Sequence, residues 1–252
     1  MRFASLGSGS RGNALLVEAG VTRLLIDAGF GPREMARRLE RLGVNAETVD
    51  AVLVTHEHSD HIGGVFACAR RFGWKVLLTH GTLAASRGAG DIDIGTIDSH
   101  QEFSLGDIRV HPFPVPHDAR EPVQFVLDDG ARCLGVLTDA GHVTSHMISM
   151  LSGCDALVLE CNHDAGMLAG GNYPPLLKQR VGGPWGHLDN AAAASLLSRI
   201  NRDKLRHLVA AHLSEQNNSP RLVLEALCGV LGCTREWVGI ASQNEGFGWR
   251  GL

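Results

Sequence analysis

Four residues of metal-binding type, His56, His58, Asp60 and His61, fall within six positions of the run Thr55-His56-Glu57-His58-Ser59-Asp60-His61. Imidazole and carboxylate are the donors that Zn²⁺, Mn²⁺ and Fe accept. The run follows Ala51-Val52-Leu53-Val54, apolar and β-branched enough to read as a buried strand. In extended backbone, side chains two apart share a side, so His56 and His58 can enter one pocket. Asp60 and His61 lie past the turn and can reach a neighbouring point. Four such donors exceed what one tetrahedral ion with an open position needs, and they suit two adjacent ions.

Other polar residues end apolar strands further on: His117, Asp139, Asn162 and His212. Each alone would read as a structural residue. The pattern Thr-His-x-His-x-Asp-His after an apolar strand resembles the metallo-β-lactamase-fold hydrolases, and these later residues follow the order of that family's motif. The resemblance implies that His56, His58 and His117 hold a first ion and that Asp60, His61 and His212 hold a second. It implies that Asp139 bridges the two and that an Asp at position 27 supports the metal loop through hydrogen bonds. The implied cofactor is a pair of divalent ions, Zn²⁺ or Mn²⁺, with iron also acceptable. Two such ions about 3.5–4 Å apart make hydroxide available at neutral pH as the nucleophile. Asp60 belongs to the catalytic group through this centre.

Gly186-His187-Leu188-Asp189-Asn190 resembles the extra histidine motif of the phosphodiesterase branch of that fold, in which a histidine near the scissile phosphate protonates the leaving oxygen. True β-lactamases place a Cys where Asp139 stands. A narrower resemblance spans nearly the whole chain. Gly7 to Asn13, Leu25 to Gly29, Thr55 to Gly64, Leu159 to Asp164, Gly186 to Asn190 and Ala211 to Ser214 with Asn217 to Pro220 are similar to the bacterial YycJ/WalJ family. That family implies a cytoplasmic metallohydrolase with DNA exonuclease activity. His187 is then the general acid, and Asn162, His187, Lys178 and Arg180 are candidate substrate contacts. Asp189 departs from the serine expected there; a carboxylate facing the pocket would disfavour an anion, whereas one capping the next helix would not. The leading expectation is a phosphodiesterase or exonuclease on nucleic acid. A small-molecule hydrolase of cyclic phosphate, thioester or lactone is the alternative, and a non-catalytic metal-binding module is the third.

The elements that must position these residues alternate. Strands are expected near 3–6, 14–18, 22–26, 50–55 and 75–79, with helices at 32–42, 61–72 and 82–87. A group of strands follows at 102–105, 108–114, 123–127 and 132–138. A helix at 144–151, a buried strand at 156–160, an irregular stretch to 186, a helix at 190–200, a strand at 207–211, a long helix to 231 and an edge strand near 237–241 complete the chain. Strands in two groups, with helices before and after each, give an α/β fold, a four-layer αββα sandwich over residues 1–252 as one domain. The glycine-rich turn 7–13 could offer backbone N–H groups to an anion.

Hydrophobic content of 44% and charged content of 20% are those of an ordinary globular chain able to bury a sizeable core. The formal net charge of −4 argues against a broadly basic nucleic-acid binder, though not against a local basic patch. No apolar run reaches the ~20 residues of a membrane span, and the first residues lack a signal-peptide core. The six cysteines form no CxxC and are expected reduced and packed, which points to the cytoplasm. Oligomeric state is not legible.

Overall fold

Strands with every residue apolar are buried on both faces, as in parallel sheets covered by helices. In the computed structural model, which describes residues 1–252, Ala51–Leu53 and Ala156–Glu160 are buried at every position. The first sheet takes β1 (Arg2–Gly7), β2 (Ala14–Ala19), β3 (Thr22–Ile26), β4 (Ala51–Leu53), β5 (Lys75–Thr79) and β6 (Ile94–Ile97). The second takes β7 (Phe103–Leu105), β8 (Ile108–Pro114), β9 (Val123–Asp128), β10 (Cys133–Leu137), β11 (Ala156–Glu160), β12 (His207–Ala211) and β13 (Val238–Ile240). The last strand, β14 (Phe247–Gly251), returns to the first sheet and pairs antiparallel with β1. Each sheet thus has seven strands, and in each the strands nearest the site run parallel: β3 to β6 in one, β10 to β13 in the other.

The inner faces meet in one apolar layer in which Phe3, Val17, Leu24 and Leu53 pack with Phe125, Val136, Val158 and Val209. The outer face of the first sheet is covered by α1 (Pro32–Arg41) and α3 (Val65–Phe72), through Met35, Leu39, Val65 and Cys68. The outer face of the second is covered by α5 (Ser145–Leu151), α8 (Asn190–Arg199) and α9 (Pro220–Leu231), through Met147, Leu196, Leu197, Val223 and Leu227. Four layers result, as the sequence predicts. No helix is long and apolar enough to cross a membrane.

The differences are local. The helix expected over 61–72 is two pieces, α2 (Ser59–Ile62) and α3, separated at Gly63-Gly64. A Cβ on Gly64 would sit 1.8 Å from the carbonyl oxygen of Phe30, so the chain bends there against the neighbouring loop. The helix expected at 82–87 is α4 (His80–Ala85), which starts earlier because the Thr79 hydroxyl caps it by accepting from Thr82 N–H at 3.2 Å. Strands β6 and β14 escape the sequence reading, being short edge strands interrupted by glycine. The irregular stretch contains two short helices, α6 (Ala165–Gly170) and α7 (Pro175–Val181). All six cysteines are free, but Cys133, Cys228 and Cys233 are only partly buried.

Most N–H groups of the turn at 7–13 are already taken within the protein. Gly7 N–H donates to Ser5 Oγ, Ser8 N–H to Ser242 O, Gly9 N–H to Asn13 Oδ1, Arg11 N–H to Gln243 Oε1, Gly12 N–H to Gly9 O and Asn13 N–H to Asp60 O. These donors are spent inside the loop or on Ser5, Asp60, Ser242 and Gln243, and Ser10 N–H is left without a partner.

Candidate active site

Open α/β sheets place their sites beyond the carboxyl ends of the strands. Here Asp27 follows β3, the histidine run follows β4, His117 follows β8, Asp139 follows β10, Glu160 ends β11 and His212 follows β12. Because the two sheets face each other with these ends on the same side, residues more than 150 positions apart in the chain converge.

His56 Nε2 lies 3.0 Å from His58 Nδ1, and His117 Nε2 lies 3.2 Å from the same atom. Asp60 Oδ2 lies 3.2 Å from His61 Nε2 and 3.3 Å from His212 Nε2. Between the two groups stands Asp139, with Oδ2 3.1 Å from His61 Nε2 and Oδ1 3.9 Å from His117 Nε2. Ligands at about 2.0–2.1 Å around a tetrahedral ion lie roughly 3.3 Å apart.

The other nitrogen of each imidazole is tied to an acceptor behind it. His56 Nδ1 donates to Thr55 Oγ1 at 2.9 Å, His58 Nε2 to the carbonyl of Asp118 at 3.2 Å and His117 Nδ1 to the carbonyl of Gly186 at 2.8 Å. His61 Nδ1 donates to Asp27 Oδ2 at 2.7 Å, and His212 Nδ1 lies 3.1 Å from Asp139 Oδ1 and 3.4 Å from Glu160 Oε1. Such contacts fix the tautomer, so five ring nitrogens present lone pairs to the centre. Both oxygens of Asp139 are buried and lack a hydrogen bond. Lone pairs converging on an unpartnered buried carboxylate are stable only with cations or protons among them. The donor set therefore fits a pair of divalent ions, one among His56, His58 and His117 and one among Asp60, His61 and His212, with Asp139 between them.

The charges point the same way. Burial opposes the charge on His61 and His212, but Asp139 with Asp60 and, for His61, Asp27 outweighs it and holds both rings well above the usual histidine range. Burial keeps His56 and His117 below that range. Burial also opposes the charge on Asp60 and Asp139, yet the surrounding histidines hold both carboxyls well below their usual range. Two backbone residues with left-handed φ frame the site: Asp27 at 61° and His212 at 55°. Asp27 is fixed there by accepting from Thr55 N–H at 2.8 Å and from the Thr55 hydroxyl at 2.9 Å.

His187 joins this group. Its Nδ1 lies 2.8 Å from Glu160 Oε1 and 3.1 Å from Asp139 Oδ1, and its ring lines a cavity of about 400 Å³ with His58, Asp60, Asp139 and His212. Burial disfavours the His187 charge, but Glu160 and Asp139 outweigh it and push the group up to about 9. Glu160 is wholly buried and also accepts from Ala140 N–H at 2.9 Å and Leu188 N–H at 3.1 Å.

Of the candidate substrate contacts, His187 and Arg180 line the cavity. Arg180 Nε is paired with Asp118 Oδ2 at 2.5 Å across its mouth. Asn162 does not line it: its amide donates to the carbonyl of His212 at 3.0 Å and holds that turn. Lys178 does not line it either, since its ammonium donates to the carbonyl of Ala169 at 2.6 Å. Asp189 caps α8 by accepting from Ala192 N–H at 2.6 Å and stays out of the cavity, so its departure from serine costs an anion nothing.

Several contributors escaped the sequence reading. Glu160 stands in a motif run yet looks like any acid ending a strand. Asn13 Nδ2 lies 3.2 Å from both Asp60 Oδ2 and His61 Nε2. Ser8 Oγ accepts from His212 N–H at 2.8 Å. Asp118 and Tyr173 line the cavity. Asp118 follows His117 directly, a local signal for it; nothing local marks Tyr173.

Fold and site together define a metallohydrolase of the metallo-β-lactamase type. Residues 22–213 match the family described as the beta-lactamase superfamily domain. The chain is 36% identical over 239 residues to the exodeoxyribonuclease YycJ of Bacillus anthracis, covering 92% of this chain and 89% of that protein. It is 34% identical over 231 residues to the exodeoxyribonuclease WalJ of Streptococcus pneumoniae, covering 88% and 84%. The crystal structure of the metallo-beta-lactamase fold protein YhfI from Bacillus subtilis superposes with a TM-score of 0.75 at 17% identity, over 99% of this chain and 98% of that one, which shows the shared fold. The chain belongs to the beta-lactamase superfamily and, within it, to the YycJ/WalJ family.

Proposed function

We propose that this chain hydrolyses phosphodiester bonds of nucleic acid as an exonuclease, with two divalent ions, Zn²⁺ or Mn²⁺, held by His56, His58, His117, Asp60, His61, His212 and Asp139. The observation that carries the reading is His187, bound to the buried Glu160 and facing the cavity beside the ligand cluster. Relatives described as exodeoxyribonucleases over most of their length support it. Ions bound there would acidify a water and draw negative charge from the phosphoryl oxygens. His187 gives a proton to the leaving oxygen, and Glu160 keeps the ring charged and oriented for that transfer. Asp27, Thr55, Gly186 and Asp118 hold the histidine rings, and Asn13 and Asn162 hold the loops that carry Asp60 and His212. Treating residues 1–252 as one domain belongs to this proposal, because the ligands come from both sheets. So does a cytoplasmic setting, which rests on the free cysteines.

The test is hydrolysis of bis-p-nitrophenyl phosphate and of end-labelled DNA by protein loaded with Mn²⁺ or Zn²⁺. Turnover of both is expected, with loss in His187→Ala. A loaded protein inert on both that cleaves S-lactoylglutathione would overturn the reading.

One observation favours a small substrate: the cavity is lined by Asp60, Asp118 and Asp139 against the single guanidinium of Arg180. The salt dependence of strand affinity separates the two. A real backbone binder loses affinity with salt, by a slope of about 0.7 per phosphate neutralised on a single strand, and Arg180→Ala should remove roughly that much. A flat slope favours the small substrate.

A further inference from the structure

The cavity has two unlike walls. One carries the ligand cluster and His187. The other carries Tyr173, Leu177 and Val181. These three recur at intervals of four, the spacing that lines one face of a helix. Leu177 and Val181 belong to α7, and Tyr173 lies just before it. An amphipathic helix ordinarily turns its apolar stripe into the core. No residue of α7 is buried, and its stripe borders the catalytic cavity instead.

This wall is fixed relative to the reacting groups. His187 N–H donates to the carbonyl of Val181 at 2.9 Å, so the last residue of α7 is tied directly to the histidine. A Cβ on Gly186 would lie 2.2 Å from the carbonyl oxygens of both Arg180 and Val181, which shows how closely the following turn packs on the helix end. The Gly186 carbonyl also accepts a hydrogen bond from His117 Nδ1 at 2.8 Å. At the same end of the helix, Arg180 is anchored to Asp118, the neighbour of His117.

An apolar and aromatic patch in the same cavity as the ligand cluster suits a substrate that is itself divided in this way. A bare phosphate or a small polar ester would leave Tyr173, Leu177 and Val181 in water. A nucleoside attached to the phosphate would cover them. The depth of the floor adds to this: Asp139 and His212 are 1% and 2% exposed, and about 400 Å³ leaves room for a strand end rather than a duplex wall.

We infer that Tyr173, Leu177 and Val181 form the binding site for the unpaired nucleoside next to the scissile phosphate, with its base stacked on the Tyr173 ring. This inference rests on the phosphodiester reading above and names the part of the substrate that selects it. Stacking depends on the π-face and not on base identity, so the site accepts any of the four bases.

The test uses Mn²⁺-loaded protein and single-stranded oligonucleotides that differ only in whether the nucleotide at the end being digested carries its base or is abasic. Loss of one stacked base weakens binding roughly 5- to 150-fold. In the wild type, KM for the abasic strand is therefore expected to exceed that for the intact strand by such a factor. In Tyr173→Ala that ratio should collapse toward one, and in Tyr173→Phe it should return. A ratio that persists in Tyr173→Ala overturns the subsite. So does a Phe variant that fails as badly as Ala, which would assign the effect to the hydroxyl. Wild-type protein that cleaves neither strand overturns the subsite together with the nuclease reading, whereas cleavage of both with equal KM overturns the subsite alone.

Discussion

Glu160 Oε1 and His187 Nδ1 lie 2.8 Å apart, the carboxylate wholly buried at the end of β11 and the imidazole at the cavity wall. The pair joins the interior of one sheet to the reacting end of the site. The Glu160 carboxyl accepts from two backbone N–H groups and faces the imidazole, whose positive form it favours.

The rate should follow that proton. His187 is pushed up to about 9, so it is charged at neutral pH and can act as an acid. A group raised in this way gives its activity below its own titration and loses it as pH rises through that titration. Glu160→Gln removes the main attraction and should shift the alkaline fall in kcat to lower pH. Removing the acid itself, in His187→Ala, is expected to cost about 10²- to 10⁴-fold at neutral pH, the usual worth of a general acid. Profiles of kcat against pH, taken with metal content measured in both proteins, test this. An unshifted alkaline limb in fully loaded Glu160→Gln would remove His187 as the acid.

Metal uptake should release protons unequally. His61 and His212 are held charged by Asp139 and Asp60, whereas His56 and His117 are held neutral by burial. Ligand imidazoles must be neutral. Filling the group of His61 and His212 should then expel about two protons at neutral pH, and its affinity should climb as pH rises. The group of His56, His58 and His117 should fill with less release. Calorimetric titration of stripped protein in buffers of different ionisation enthalpy counts the protons for each step. Equal release at both steps would contradict the assignment.

Much of this site is legible in the chain because the donors mark strand ends. The run from His56 to His61 is local, and a turn after an apolar strand is enough to gather it. His117, Asp139 and His212 are each ambiguous alone, and only their order along the chain joins them to the run. Direction of a side chain is harder to read: Asn162 stands in a motif, yet its amide turns back to the His212 carbonyl because that left-handed turn needs a donor. Lys178 is a cation on the right helix but the wrong face. The wall of Tyr173, Leu177 and Val181 stays hidden because its stripe is short, broken by Pro174 and never enters the core that makes helices visible in a sequence. Strands β6 and β14 are missed for a related reason. They are edges whose glycines weaken the apolar pattern, and pairing with a neighbour creates them.

Asp27 offers a test of how the ligands are held. Its left-handed φ of 61° is one that Asn also tolerates, so Asp27→Asn keeps the backbone. It removes the charge that accepts the His61 Nδ1 proton at 2.7 Å. Loss of such a support weakens metal binding about 10- to 100-fold. Competition with a chromophoric chelator should show that loss at the site containing His61, with the site containing His58 and His117 less affected. Equal affinity at both sites in the variant would reduce Asp27 to a turn former.

Gly64 tests why the metal run is followed by a break rather than a continuous helix. Its N–H donates to the carbonyl of Ala28 at 2.8 Å, and a Cβ there would meet the carbonyl oxygens of Phe30 and Ala28 at 1.8 and 2.8 Å. Both oxygens are backbone, so neither can swing aside as a side-chain tip would. The segment that must yield instead is the loop from Asp27 to Phe30, which anchors His61 through Asp27. Gly64→Ala should therefore cost about 1–3 kcal/mol or more of stability, in the range of overpacking within a closed interior. It should weaken metal binding as well, since movement of this loop separates Asp27 from His61. Gly43→Ala is the comparison: nothing lies within 4 Å of its Cβ, and only the left-handed φ of 73° opposes it. Thermal denaturation with and without Mn²⁺ measures both effects. A Gly64→Ala protein that melts lower but gains as much from Mn²⁺ as the wild type would mean that the close approach serves packing and not the metal loop.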